Sequence, residues 1–142
     1  MTGFESLTAF GGVVRPIRIA SRRDARGALH PFDYADLPFV PRRVFVVEPS
    51  AAGTVRGGHA NTKARQLLVR LAGTIDVALC HAGREARVRL DATETALLLE
   101  PLVWAEQTYV TPDALLMVLA SEPFDPGSYI GERPAAGGRG DG

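Results

Sequence analysis

Apolar positions along the chain fall in short segments rather than in long stripes. Val13 to Ile19, Arg43 to Glu48, Gln66 to Ala72, Thr74 to His81, Glu85 to Leu90, Ala96 to Leu99, Val103 to Val110 and Leu115 to Ser121 each have strand length, with β-branched residues or Leu on their faces. Gly, Pro, Asp or Asn separates them, and none keeps helical spacing over the several turns that a stable helix needs. The pattern predicts an all-β chain of about eight strands. Ala72-Gly73-Thr74 and Ala82-Gly83-Arg84 have the chemistry of hairpin links, and Pro presets φ for a turn at Thr111-Pro112-Asp113. Successive antiparallel pairing is therefore expected. Many short strands at this spacing indicate a sandwich or barrel, and a double-sheet jelly roll fits the count.

A chain of 142 residues is long enough for one domain with one core. The domain is expected over residues 1–133, and the Gly-rich stretch 134–142, which has no apolar pattern, is expected to be a flexible tail. Hydrophobic residues at 46% and charged residues at 23% exclude a disordered or collagenous chain. Sixteen basic residues balance sixteen acidic ones, so the broad cationic surface of a nucleic-acid binder is excluded. Local anion binding stays open, because Lys63 is the only lysine and Arg is the better fork for a diphosphate. One cysteine, Cys80, forms no disulfide within the chain, and neither an apolar leader at Met1 to Ile19 nor an 18-residue apolar run occurs. A cytoplasmic protein without membrane contact is expected.

The most unusual stretch is Arg56-Gly57-Gly58-His59-Ala60-Asn61-Thr62-Lys63, polar and marked by two glycines. In strand geometry, residues two apart face one side, so His59, Asn61 and Lys63 would point into one cavity, flanked by Arg56 and Arg65. The other reading is a surface turn with a solvated histidine. Three histidines, at 30, 59 and 81, include no His-x-His pair, which leaves too few donors for a transition-metal site. No metal or other cofactor is expected. Trp104 suits a core or cavity wall and is compatible with stacking on a ligand. Asp24, Asp33 and Asp36 sit in turn-like contexts, and no nucleophile elbow, phosphate loop or dinucleotide fingerprint is present.

Arg56-Gly57-Gly58-His59-Ala60, followed by Lys63, Gln66 and the run Leu67 to Gly73, resembles the start of the cupin domain in nucleotide-sugar 3,4-ketoisomerases of the WxcM-like group. Pro101-Leu-Val-Trp104-Ala-Glu106 is similar to that family's Pro-x-x-Trp-x-Glu segment. Leu115 to Ser121 resembles its last long strand, and Phe124-Asp125 with Tyr129-Ile130 its closing Tyr-Asp-x-x-x-Tyr-Ile signature. Asp24-Ala-Arg26-Gly27 resembles its early turn, so several motifs follow in order from Arg15 to Arg133.

The resemblance implies a double-stranded β-helix, a homodimer with exchanged N-terminal strands, and metal-free action on a dTDP-linked 4-oxo-6-deoxyhexose. The implied reaction moves the carbonyl from sugar carbon 4 to carbon 3. It needs a base at carbon 3, stabilisation of an enediolate and a proton for carbon 4. His59 matches the first histidine of the family's His-Ala-His and is the implied base; Asn61 matches the second and would partner an oxyanion or hydroxyl. An amide donates hydrogen bonds but does not shuttle protons near neutral pH. Ala105 stands where relatives often have another histidine. Tyr109, Tyr34 or a water would then carry the missing proton, or the chain catalyses a related epimerisation, or it only binds the sugar nucleotide. Arg56, followed by Arg26 and Arg65, would bind the diphosphate, Lys63 is a further candidate for substrate binding, and Trp104 or Tyr129 would line the sugar or base pocket.

Overall fold

Strands dominate the chain, as the short apolar segments predict. A computed structural model describes Phe4, Leu7, residues 10–131 and Arg133, so the expected tail lies outside the described residues. Among these residues the strands are β1 (Val14–Ile17), β2 (Arg22–Asp24), β3 (Gly27–Leu29), β4 (Arg43–Val47), β5 (Thr54–Asn61), β6 (Gln66–Ala72), β7 (Ile75–His81), β8 (Arg84–Leu90), β9 (Ala96–Leu99), β10 (Trp104–Tyr109), β11 (Leu115–Ala120) and β12 (Tyr129–Ile130). One sheet has the order β1-β9-β6-β11-β4, the facing sheet β12-β5-β10-β7-β8, and β2-β3 is a separate hairpin. All ladders are antiparallel. From β4 onward the chain changes sheet at every connection except β7 to β8, the winding of a double-stranded β-helix.

This winding corrects the expectation of successive pairing. Ala82 and Gly83 both have positive φ, 50° and 77°, and close the predicted hairpin as a two-residue turn with His81 opposite Arg84. Gly73 also has positive φ, 67°, yet its link carries the chain from one sheet to the other. There it meets the second crossing, where the Thr74 amide donates to Thr111 Oγ1 at 3.0 Å and the Val110 amide to the Thr74 carbonyl at 2.9 Å. A left-handed glycine reports a sharp change of direction and not which strand pairs next.

The core lies between the two sheets, with Leu68, Leu97, Leu99, Leu116 and Val118 from one meeting Ile75, Val77, Leu79, Val88 and Leu90 from the other. Leu67, Val69, Ala96, Leu98 and Leu119 point outward, and Ile17, Ile19, Phe32, Leu37 and Phe39 cover them. That cover explains why β9 is a continuous apolar run and why β6 is apolar from Leu67 to Val69: both faces are buried there. Strand β1 pairs with β9 of its own chain, Val14 opposite Leu99, at the sheet edge. The β2–β3 hairpin, exposed throughout, has no apolar period by which the sequence could announce it. No helix among the described residues is long and apolar enough to cross a membrane.

Candidate active site

The Arg56 to Asn61 stretch is strand β5, and its two glycines shape it. In the ladder with β10, Ala105 faces His59 and Glu106 faces Gly57, so Gly58 is an extra residue in a β-bulge. Gly57 and Gly58 have φ of 84° and 78°, which side chains with a Cβ rarely adopt. The bulge changes parity. Arg56 sits opposite Gln107, on the same inward face as His59, while Val55 turns out and is 54% exposed. A histidine and an arginine three positions apart thus share one cavity.

That cavity, about 110 Å³, lies between β5 and β10 on one side and β4, β6 and β11 on the other. Arg56, His59, Gln66, Gln107 and Tyr109 supply its polar groups, and Phe45, Val47, Leu68, Leu116 and Val118 its apolar wall. Burial lowers the His59 pKa below the ordinary imidazole value, against a smaller opposing effect of a hydrogen bond to the Gly57 backbone. The ring is therefore neutral near pH 7 and able to accept a proton. Tyr109 is fully buried, its hydroxyl has no hydrogen-bond partner among the described residues, and burial pushes its pKa up to about 12. Its hydroxyl stays protonated and has a donor to offer. Tyr129 stacks on His59 with ring centroids 4.4 Å apart and planes within 6°.

The other residues singled out in the sequence lie elsewhere. Asn61 is 7% exposed at the end of β5, two residues along the His59 face, but outside the cavity lining. Lys63 lies beyond the strand, 70% exposed and 3.8 Å from Asp125, not in the cavity that strict alternation from His59 would give it. Arg65 forks onto Glu100 at 2.8 and 2.9 Å and donates to the Pro38 carbonyl, which ties the covering segment to β6 and β9. Arg26 is 90% exposed on the β2–β3 turn, paired with Asp24. Trp104 faces outward from β10 and packs with Ala60, Ala78 and Cys80 beneath Arg133, away from the cavity. Tyr34 is 57% exposed and does not line it either.

Gln66, which enters the sequence reading only as part of the family motif, and Gln107 also line the cavity, each a polar residue at an inward strand position. A second, larger cleft of about 880 Å³ runs beside β1 and the β2–β3 hairpin and holds Arg18, Arg23, Arg70 and His30, whose Nδ1 lies 2.6 Å from Ser21 Oγ. It contains none of the His59 constellation. Among the described residues no three of His, Cys, Asp or Glu converge.

Comparison with known proteins agrees with this architecture. The family model "FdtA: WxcM-like, C-terminal" matches residues 13–135. A TDP-4-oxo-6-deoxy-alpha-D-glucose-3,4-oxoisomerase of Aneurinibacillus thermoaerophilus is 33% identical over 108 residues, 75% of this chain and 78% of that protein. The sugar 3,4-ketoisomerase QdtA of Thermoanaerobacterium thermosaccharolyticum, solved in complex with TDP, superposes with a TM-score of 0.80 at 31% identity, covering 85% of this chain and 89% of that one. WlaRB, a TDP-quinovose 3,4-ketoisomerase of Campylobacter jejuni, gives 0.77 at 26% identity over 84% and 92%. With a cupin-like double sheet, a histidine on the bulged strand and these matches over most of its length, the chain belongs to the WxcM-like, FdtA family.

Proposed function

We propose that the protein is a sugar-nucleotide 3,4-ketoisomerase that moves the carbonyl of a TDP-4-oxo-6-deoxyhexose from carbon 4 to carbon 3. The observation that carries this reading is His59, half-buried, neutral and stacked, in a cavity with Tyr109 and Arg56. At about 110 Å³ the cavity is smaller than the roughly 300–1,000 Å³ of sites that enclose whole ligands. Only the sugar end enters, and the diphosphate stays at the mouth, where the exposed Arg56 meets it. His59 takes the proton from carbon 3, and the electron pair left behind forms the enediolate across carbons 3 and 4. The Tyr109 hydroxyl donates a hydrogen bond to the enediolate oxygen. Protonation at carbon 4 and loss of the hydroxyl proton at carbon 3 complete the 3-oxo sugar.

The hard step is the proton for carbon 4. Asn61 does not move protons, and Tyr109, with its raised pKa, gives one up reluctantly. Tyr109 lines the cavity and Tyr34 does not, which favours Tyr109 over Tyr34 as the relay. We further propose a cytoplasmic homodimer that works without a metal, in which β1 keeps its register on β9 whether the strand comes from its own chain or is exchanged.

The test is to incubate the protein with TDP-4-oxo-6-deoxyglucose and follow the 3-oxo product. His59→Asn should lower its rate by about 10²–10⁴-fold, the usual contribution of a positioned base. Product formation by wild type and His59→Asn alike would reject the assignment. Binding of TDP without turnover would instead favour a non-catalytic sugar-nucleotide binder, a reading to which Asn61 in place of the second histidine gives weight.

A further inference from the structure

Arg43 stands in an unusual setting for a charged residue. It opens β4, in the sheet opposite His59, and its guanidinium lies over two aromatic rings, Phe45 at 4.3 Å and Phe124 at 4.7 Å. Among the described residues no carboxylate pairs with it. Its Nη1 donates instead to the Tyr129 hydroxyl at 3.4 Å, across a sequence separation of 86 residues. Phe124 also meets Tyr129 edge-on, with centroids 6.2 Å apart and planes at 81°. Tyr129 is thus held from three sides: by its backbone pairing opposite Asn61 in β12, by the edge of Phe124 and by Arg43. Its remaining face lies flat on His59.

A histidine ring turns about a bond between sp³ and sp² carbons, whose energy profile is broad, so the strand alone does not fix the plane of the imidazole. A base must meet its proton within hydrogen-bond reach and in line, and an error near 1 Å can cost about 10²-fold in rate. We propose that Tyr129 is a positioning residue for His59 and that Arg43, clamped between Phe45 and Phe124, locks it in place. The stack sets the ring plane, keeps water off one face of the imidazole and leaves an edge directed to the cavity. This assigns Tyr129 to the base rather than to the substrate, and it rests on His59 being the base proposed above. The charged and titratable groups facing His59 are Arg56 of its own strand, Tyr109 of β10, Tyr129 of β12 and, through Tyr129, Arg43 of β4. Glu106 points to the opposite face of its sheet, beside Gly58 and Trp104.

The test combines steady-state kinetics with an NMR titration of the three histidines, His59 being identified by its absence in His59→Asn. Tyr129→Ala should lower kcat by about 10–10²-fold with KM close to wild type, the signature of a misplaced base. The His59 midpoint should rise towards the ordinary imidazole value as water reaches the ring, and the acid limb of kcat should move with it. Tyr129→Phe, which keeps the ring, should restore most of kcat and the wild-type midpoint. Arg43→Met should act in the same direction as Tyr129→Ala, but by less, and it decides the matter if Tyr129→Ala does not fold. A Tyr129→Ala protein with wild-type kcat and midpoint would overturn the proposal. So would one that raises KM alone, which would make Tyr129 a substrate contact. Should wild type turn over no sugar nucleotide, the isomerase reading fails by itself; the His59 midpoint in Tyr129→Ala and Tyr129→Phe then still supports the stack if it shifts and recovers, and rejects it if it does not move.

Discussion

Burial of His59 sets the pH range in which it can act. Its pKa is lowered, mainly by loss of water around the ring, so the neutral, proton-accepting form persists below pH 6.5. The acid limb of kcat/KM against pH should therefore lie below 6.5, and a limb above it would contradict the burial of the base. Between the lowered folded value and 6.5 the unfolded chain binds the proton that folded His59 resists, so this residue makes stability fall as pH falls through that window. Tyr109 offers a sharper contrast, because its buried hydroxyl has no partner among the described residues. Tyr109→Phe should leave the thermal midpoint unchanged or raise it, since no hydrogen bond is lost. The same change should lower turnover by about 10²–10³-fold, as removal of an oxyanion donor does. His59 was legible in the sequence as a lone imidazole in a glycine-marked polar stretch, but Arg43 was not. Its role comes from partners far along the chain, Phe124 and Tyr129, which no local pattern connects to β4.

Strand β5 shows how one extra residue re-aims a site. Strict alternation from His59 would turn Gly57 and Val55 inward, whereas the bulge brings in Arg56. The strand periodicity was legible, but the bulge was not, since a glycine pair signals left-handed backbone without saying whether it ends a strand or kinks it. Lys63 was misplaced for a related reason: β5 ends at Asn61, and the chain then turns toward β6. Two glycine substitutions separate these effects. At Gly57 an added Cβ meets first the flexible Gln107 side chain, with Oε1 2.5 Å away, and the Ala105 carbonyl oxygen only at 3.2 Å, but at Gly73 it meets the Ala114 backbone at 2.6 and 2.7 Å. Both sites pay the left-handed cost of about 1–2 kcal/mol, and Gly73→Ala should lose more in urea denaturation because backbone cannot swing aside. Gly57→Ala should instead spare much of the stability and lower kcat, as it disturbs Gln107 and the Arg56–His59 parity. Equal losses of stability at the two sites would contradict this distinction.

At the scale of the whole molecule, the two-sheet jelly roll was legible because apolar runs are short, numerous and separated by turn residues. Its wiring was not, because sheet crossings and hairpins use the same turn residues. The outer face of the β1-containing sheet is only partly covered: Val44 and Val46 of β4 are 51% and 52% exposed, and Val40 and Leu29 nearby in sequence to the covering segment are 65% and 62% exposed. Exposed apolar surface on a sheet face suits contact with a second copy. Light scattering should give twice 15.2 kDa, and a stable monomer at micromolar concentration would reject the homodimer.

In the proposed mechanism a single imidazole, His59, opens the reaction at carbon 3, and the return of a proton to carbon 4 is the slower event. The most direct measurement is proton NMR of TDP-4-oxo-6-deoxyglucose with the protein in heavy water, reading deuterium at carbon 3 and the 3-oxo product in the same tube. Deuterium should enter carbon 3 faster than product accumulates, and both should vanish in His59→Asn. Exchange at carbon 3 that continues at the wild-type rate in His59→Asn would contradict His59 as the base.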